Sequence, residues 1–133
     1  MDKIVLSKEI QQPYLDWIKS GEKVYEGRLK TKIEEWGLKI GRRIKFYDKE
    51  NPDSWVLIDV TSLPTFADFG TAYDVLGSEL IPHKTKNEVI KLYNDLFHNS
   101  DEKINDTEPS QMIKDKGVIA FGMRVITMRP LLQ

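Results

Sequence analysis

Between Arg43 and Ser62 the chain reads RIKFYDKENPDSWVLIDVTS. RIKFY alternates with period two, as a half-buried strand does. SWVLIDVTS is a β-branched run of the kind that packs on a pleated surface. Only KENPD separates them, a turn by its Asn-Pro step and its Asp. Parallel neighbours need a long crossover, usually a helix. Two strands in succession with no helix between them therefore argue against a doubly wound parallel sheet and for antiparallel pairing.

The flanking segments extend this reading. Ile4 to Leu6 is a first short strand. Pro13 suits the opening turn of a helix whose apolar face is Tyr14, Leu15, Trp17 and Ile18, and Gly21 stands where such a helix stops. Lys23 to Leu29 alternates as a strand, and KTKIEEWGLKIG reads as a loop with a helical turn. Thr65 and Asp68 have capping-box spacing ahead of Phe66, Phe69, Tyr73 and Leu76. Thr85 and Glu88 have it ahead of Val89, Leu92, Tyr93 and Leu96. The stretch 98–111 is polar, acidic and aperiodic, and reads as a mobile loop. GVIAFGMRVI closes the chain as a buried strand. The expected class is α+β: a small, mixed or mostly antiparallel barrel of five or six strands with about three helices packed around it.

At 133 residues the chain suits one domain, 1–133, with a core that needs no covalent staple. It has no cysteine, which excludes disulfides, thiol catalysis and cysteine-ligated zinc. Its two histidines lie far apart in sequence, so neither a metal nor any other cofactor is expected. No apolar run approaches the roughly 18 residues of a membrane helix, and the N-terminus lacks a signal-peptide pattern. The expected location is intracellular, in the cytoplasm, with no membrane partner. A net charge of −1 provides no bulk field toward nucleic acid, so any such binding must come from a local patch.

The densest chemistry is in SGEKVYEGRLK, Ser20 to Lys30. Residues two apart in a strand share a face, so Glu26 and Arg28 point the same way. Tyr25, Gly27 and Leu29 take the other face. Lys23 sits at the turn, with a stem long enough to reach either side. Gly27 lets another group approach the backbone closely. The plain alternative is a solvated edge strand whose Glu26–Arg28 pair only organises the strand.

Taken together, Pro13-Tyr14, Trp17-Ile18 and Gly21-x-Lys23-x-x-Glu26-x-Arg28 resemble the ASCH domain, a small β-barrel similar to the RNA-binding PUA fold. Lys39-Ile40-Gly41 followed by Ile44-Lys45-Phe46 resembles the second motif of that family. Phe66 to Leu76 resembles the helix after its third barrel strand, and Gly117 to Phe121 its closing strand. The likeness thus spans nearly the whole chain. One departure is Arg42, which stands where the family usually has Asp and creates a basic run, RRIK.

The resemblance implies a cleft between barrel and helices, lined by Lys23, Glu26 and Arg28, that binds RNA or a modified nucleoside. Some members are hydrolases: one branch removes acyl groups from N4-acetylcytidine and another cleaves RNA. In a hydrolase reading Lys23, with Glu26 or Glu79, supplies the acid and base. The deacylase branch carries a hydroxyl where this chain has Glu26, and Glu79 corresponds to its acidic residue by position alone. A third reading is a protein-interaction module with a protein partner and an empty cleft.

Each candidate side chain has a chemical reason behind it. A desolvated Lys23 beside Arg28 loses basicity and can bind a phosphate or polarise a carbonyl. Glu26 can accept from an exocyclic amine on a base. Arg28 can fork onto a phosphate or carboxylate. Tyr25 can stack on a base, and Arg42 and Arg43 can touch phosphates at the barrel mouth. Trp17 reads as core and His98 as a solvated helix-end residue; for His83, after Pro82, an approach to the cleft is the minor alternative.

Overall fold

The computed structural model of the chain describes residues 5–97 and 111–131. His98 and the acidic stretch lie outside them, except that Gln111 opens a helix. Six strands form one sheet: β1 (Val5–Glu9), β2 (Tyr25–Leu29), β3 (Arg43–Tyr47), β4 (Trp55–Ser62), β5 (Thr65–Phe66) and β6 (Val118–Arg129). Their order is β1-β3-β4-β6-β2, with β5 attached to β6. Only the β1–β3 pair is parallel; the other neighbours are antiparallel.

The helices are α1 (Tyr14–Ser20), α2 (Lys30–Trp36), α3 (Phe69–Leu76), α4 (Lys86–Phe97) and α5 (Gln111–Lys116), with a 3₁₀ turn at Gly77–Glu79. The α+β barrel class is as expected, while the described residues form five helices rather than about three. Helix α2 replaces the expected loop because its single buried residue, Ile33, docks on the core, and Gly37 ends it at φ 62°. Helix α5 is likewise held through buried Ile113. Among the described residues no helix is long and apolar enough to cross a membrane.

The two capping signals resolve differently. Thr85 and Glu88 form the reciprocal pair: the Thr85 amide donates to Glu88 Oε1 at 2.8 Å, and the Glu88 amide to Thr85 Oγ1 at 3.3 Å. Thr65 does not cap. It joins Phe66 in β5, paired to Ile119 and Val118. Asp68 caps α3 alone, accepting from the Thr71 amide at 2.7 Å. A ladder edge on β6 therefore outcompetes the local helix signal for these two residues.

Strand β6 holds the architecture together. Its first half pairs with β2 and β5, its second half with β4, and Gly122 faces both Tyr25 and Ser62. The β4–β6 register shifts twice, between Leu57 and Ile58 and between Val60 and Ser62. Such bulges bend and twist a strand, and here the sheet curls into a half-barrel.

The first half of β6 is buried on both sides. Ile119 and Phe121 enter a core with Leu15, Ile18, Ile44, Phe46 and Ile58. Val118 and Ala120 enter a second core with Phe69, Ala72, Leu80, Val89 and Tyr93, from the helical side. This explains the near-continuous apolar run GVIAFG: a strand packed on both faces has no reason to alternate.

Gly27 is where the second core meets β2. Phe69 and Tyr93 stack with centroids 3.8 Å apart. A Cβ on Gly27 would lie 2.7 Å from Phe69 Cε1 and 2.9 Å from the Tyr93 hydroxyl. The close approach allowed by this glycine is thus taken by the protein's own rings. Gly27→Ala is expected to lower stability by about 1–3 kcal/mol through overpacking. A urea midpoint indistinguishable from wild type would show that the ring pair shifts freely.

Candidate functional site

The turn after α1 sets the position of the charged cluster. Gly21 ends the helix at φ 83°, and its amide donates to Ile18 O. The Lys23 amide then bonds Trp17 O at 3.0 Å and the Val24 amide bonds Glu79 O at 2.8 Å. These contacts turn Lys23 inward and start β2 against the 3₁₀ turn.

Lys23 has no exposed side-chain surface. Its ammonium donates to Tyr25 O at 2.7 Å and to Leu80 O, and lies 3.6 Å from Glu26 Oε1. Two carbonyls thus accept hydrogen bonds from it, and the Glu26 carboxylate adds an ion pair. Burial pushes its pKa below the usual lysine value, Glu26 pulls it back up, and Arg28 adds to the downward push.

Glu26 is also buried, at 4% exposure. Its Oε1 accepts the Gly27 amide at 3.0 Å and sits 3.0 Å from Arg28 Nη1. Oε2 accepts no hydrogen bond from the described residues. Burial alone would raise this pKa, but Arg28, Lys23 and the Gly27 amide outweigh it and hold the carboxyl below its usual range. Arg28 also donates to Gly27 O at 2.8 Å, and its guanidinium carbon lies 5.9 Å from the Trp36 ring centroid.

Glu26 and Arg28 open onto a cleft of about 660 Å³ between the half-barrel and α4. Tyr14, Ile10, Ile81, Leu92, Tyr93 and Leu96 form its apolar wall. Glu9, Asp48, Lys49 and Glu50 stand at its polar side. Burial and the nearby Glu26 charge raise the pKa of both Tyr14 and Tyr93, so both phenols stay protonated near the carboxylate.

The other sequence candidates lie elsewhere. Lys23 is behind Glu26 and does not line the cleft. Glu79 is exposed, and its contact with β2 is through its carbonyl. Tyr25 packs beside Gly122 and the second core. Arg43 bonds Asp59 at 3.1 Å on the opposite side of the sheet. Arg42 precedes β3, and its Nε is buried without a hydrogen-bond partner. His83 is exposed, 2.7 Å from Glu22 Oε2 and 5.4 Å from the Trp17 ring. Tyr93, the Asp48–Glu50 turn and Ile81 were not singled out as site residues from sequence. No local signal marks them, since only chain folding brings them to β2.

The depressed Glu26 pKa has a sign that can be tested. The carboxylate contributes stability that is complete above its unfolded pKa near 4.5 and is lost as pH falls through the lower folded value. The stability gap between wild type and Glu26→Gln is expected to be widest near about pH 7 and to shrink toward about pH 2–3. Urea melts across that range measure it. A gap independent of pH would contradict the ionised, charge-held state.

No protein-family model matches the sequence, and no curated protein does. Solved structures do. The hypothetical protein PH0355 superposes with a TM-score of 0.71 at 23% identity, covering 92% of this chain and 100% of that one. The ASCH domain from Lactobacillus crispatus gives 0.65 at 13% identity, covering 91% and 79%. ASCH from Zymomonas mobilis gives 0.57 at 17% identity, covering 96% and 73%. At these identities the likeness is one of architecture, and on that ground the chain has the ASCH-domain fold.

Proposed function

We propose that the protein binds a nucleoside-sized ligand in the cleft, with Glu26 and Arg28 as its reading groups. The observation that carries this is the buried Glu26 carboxylate. Its Oε1 is held by Arg28, Lys23 and the Gly27 amide, while Oε2 has no donor among the described residues. A fixed, ionised acceptor in an apolar-walled cleft suits an exocyclic amine, as on cytosine. Arg28 is 19% exposed and offers donors to a neighbouring carbonyl. The cleft volume lies within the usual range for small-molecule sites.

Charge at the cleft favours a small neutral ligand over a nucleic-acid strand. Glu9, Asp48 and Glu50 outnumber Lys49 at its polar side, and phosphates there would meet like charge. Lys23 acts in this reading as a positioning residue. It is enclosed, two of its donors go to backbone carbonyls, and it fixes Glu26 by charge rather than touching ligand. Binding therefore stands ahead of acid–base turnover by Lys23.

Isothermal titration with cytidine and N4-acetylcytidine tests the reading. Wild type is expected to bind one of them, and Glu26→Gln to weaken that binding by about 1–3 kcal/mol, the worth of a good base contact. No heat with any pyrimidine nucleoside would sink it. Chromatography of the same mixtures decides the hydrolase alternative: cytidine release that stops in Lys23→Ala would make this an amidohydrolase.

A further inference from the structure

The cleft is not where this protein's cations gather. The outward face of the sheet carries them in register. Across β3, β4 and β6, Arg43 stands opposite Asp59 and Asp59 opposite Arg124. The next outward row is Lys45, Leu57 and Thr127, and the third is Tyr47, Trp55 and Arg129. The inward residues between them, Ile44, Phe46, Val56 and Ile58, are fully buried. The alternation therefore leaves four cations and two aromatic rings on one side of a continuous surface, with Asp59 in the first row and Glu9 of β1 beside Tyr47 as its two carboxylates.

Asp59 sits low in this face, at 6% exposure, and holds two guanidiniums upright. Arg43 Nε reaches its Oδ1 at 3.1 Å and Arg124 Nη2 its Oδ2 at 3.0 Å. One carboxylate between two guanidiniums leaves a net positive row. The Arg124 side chain is 72% exposed and that of Arg43 39%, so their remaining N–H groups face solvent. Lys45 Nζ lies over the Trp55 ring, 5.1 Å from its centroid, a cation–π contact that puts the ammonium on the ring face. Outward rows on a strand repeat at about 7 Å, so the three span about 14 Å.

We infer that this outer sheet face, distinct from the cleft, is a docking surface for single-stranded RNA. Phosphates fit the Arg43–Asp59–Arg124 row, Lys45 and Arg129, because guanidinium forks and ammonium charges neutralise them. Unpaired bases fit Trp55 and Tyr47, since base stacking on aromatic side chains is how sequence-tolerant single-strand sites gain affinity. Duplex RNA hides its base faces and cannot use those rings. Ser7, which pairs with Lys45 from β1, and Thr127 are exposed hydroxyls on the same rows. They supply partners for 2′-hydroxyls, the groups that separate RNA from DNA. Cations outnumber carboxylates on this face by four to two, whereas carboxylates predominate at the polar side of the cleft.

Fluorescence anisotropy with a labelled oligouridine of about ten nucleotides tests this. With four cations engaged, log affinity is expected to fall against log salt with a slope of about −3. The Arg124→Gln/Arg129→Gln double variant changes two exposed side chains and is expected to fold as wild type. It should bend the slope to about −1.5. Trp55→Thr should lose at least about fivefold in affinity, with a thermal melt to confirm folding. Glu26→Gln should bind the oligonucleotide as wild type does, which separates failure here from failure of the cleft reading. Duplex RNA bound as tightly as the single strand would overturn the proposal. So would tighter binding of the matching DNA, or an unchanged slope in the double variant.

Discussion

A carboxylate inside a folded core costs several kcal/mol unless its charge is answered, and Glu26 is answered from three directions. Arg28 comes from the same strand, Lys23 from the turn before it, and the Gly27 amide from the next peptide. Lys23 is itself a buried charge, and its remaining donors go to the Tyr25 and Leu80 carbonyls. Leu80 follows the 3₁₀ turn, which Val24 also bonds through Glu79 O. So one ion cluster links α1, β2 and the segment after α3. Removing any member would strand another charge, and this binds the cleft's geometry to the fold's stability.

The same cluster orders the cleft. Glu26 is held on its Oε1 side by Arg28, Lys23 and the Gly27 amide, so in the proposed binding role the matching donor comes from the ligand. Tyr14 and Tyr93 keep their protons under the influence of burial and of this charge. The cleft is thus a mostly apolar hollow with a few held polar groups, the form small-molecule sites commonly take. The opposite side of the sheet has different physics. Its cations are exposed at Arg124 and Arg129 and half-buried at Arg43 and Lys45, on one face that a long polyanion could span. Asp59 prevents two neighbouring guanidiniums from repelling each other without cancelling them both.

Much of this was legible in the residues. Period-two alternation located β3, a β-branched run located β4, and Gly21 ended α1 as its position suggested. The spacing of Glu26 and Arg28 put them side by side, and the Thr85–Glu88 pair caps α4 as its residue types imply. What failed was local competition. Thr65 and Phe66 look like a helix start, yet the edge of β6 takes them. KTKIEEW looks too charged for a helix, yet a single Ile33 anchors it.

The sequence by itself determined where β1 to β4, β6, α1, α3 and α4 lie and which charges neighbour each other on β2. Those depend on residues two to four positions apart, and such periodicities are written into the chain. The tertiary structure alone decided that Lys23 is sealed behind Glu26, that Tyr93 from α4 covers Gly27, and that Arg42 and Arg43 lie away from the cleft. It also decided that Arg124 and Arg129 join Arg43 and Lys45 on one face. Each of these depends on which distant element packs where, and packing is set by the burial of whole surfaces, which no short stretch of sequence records.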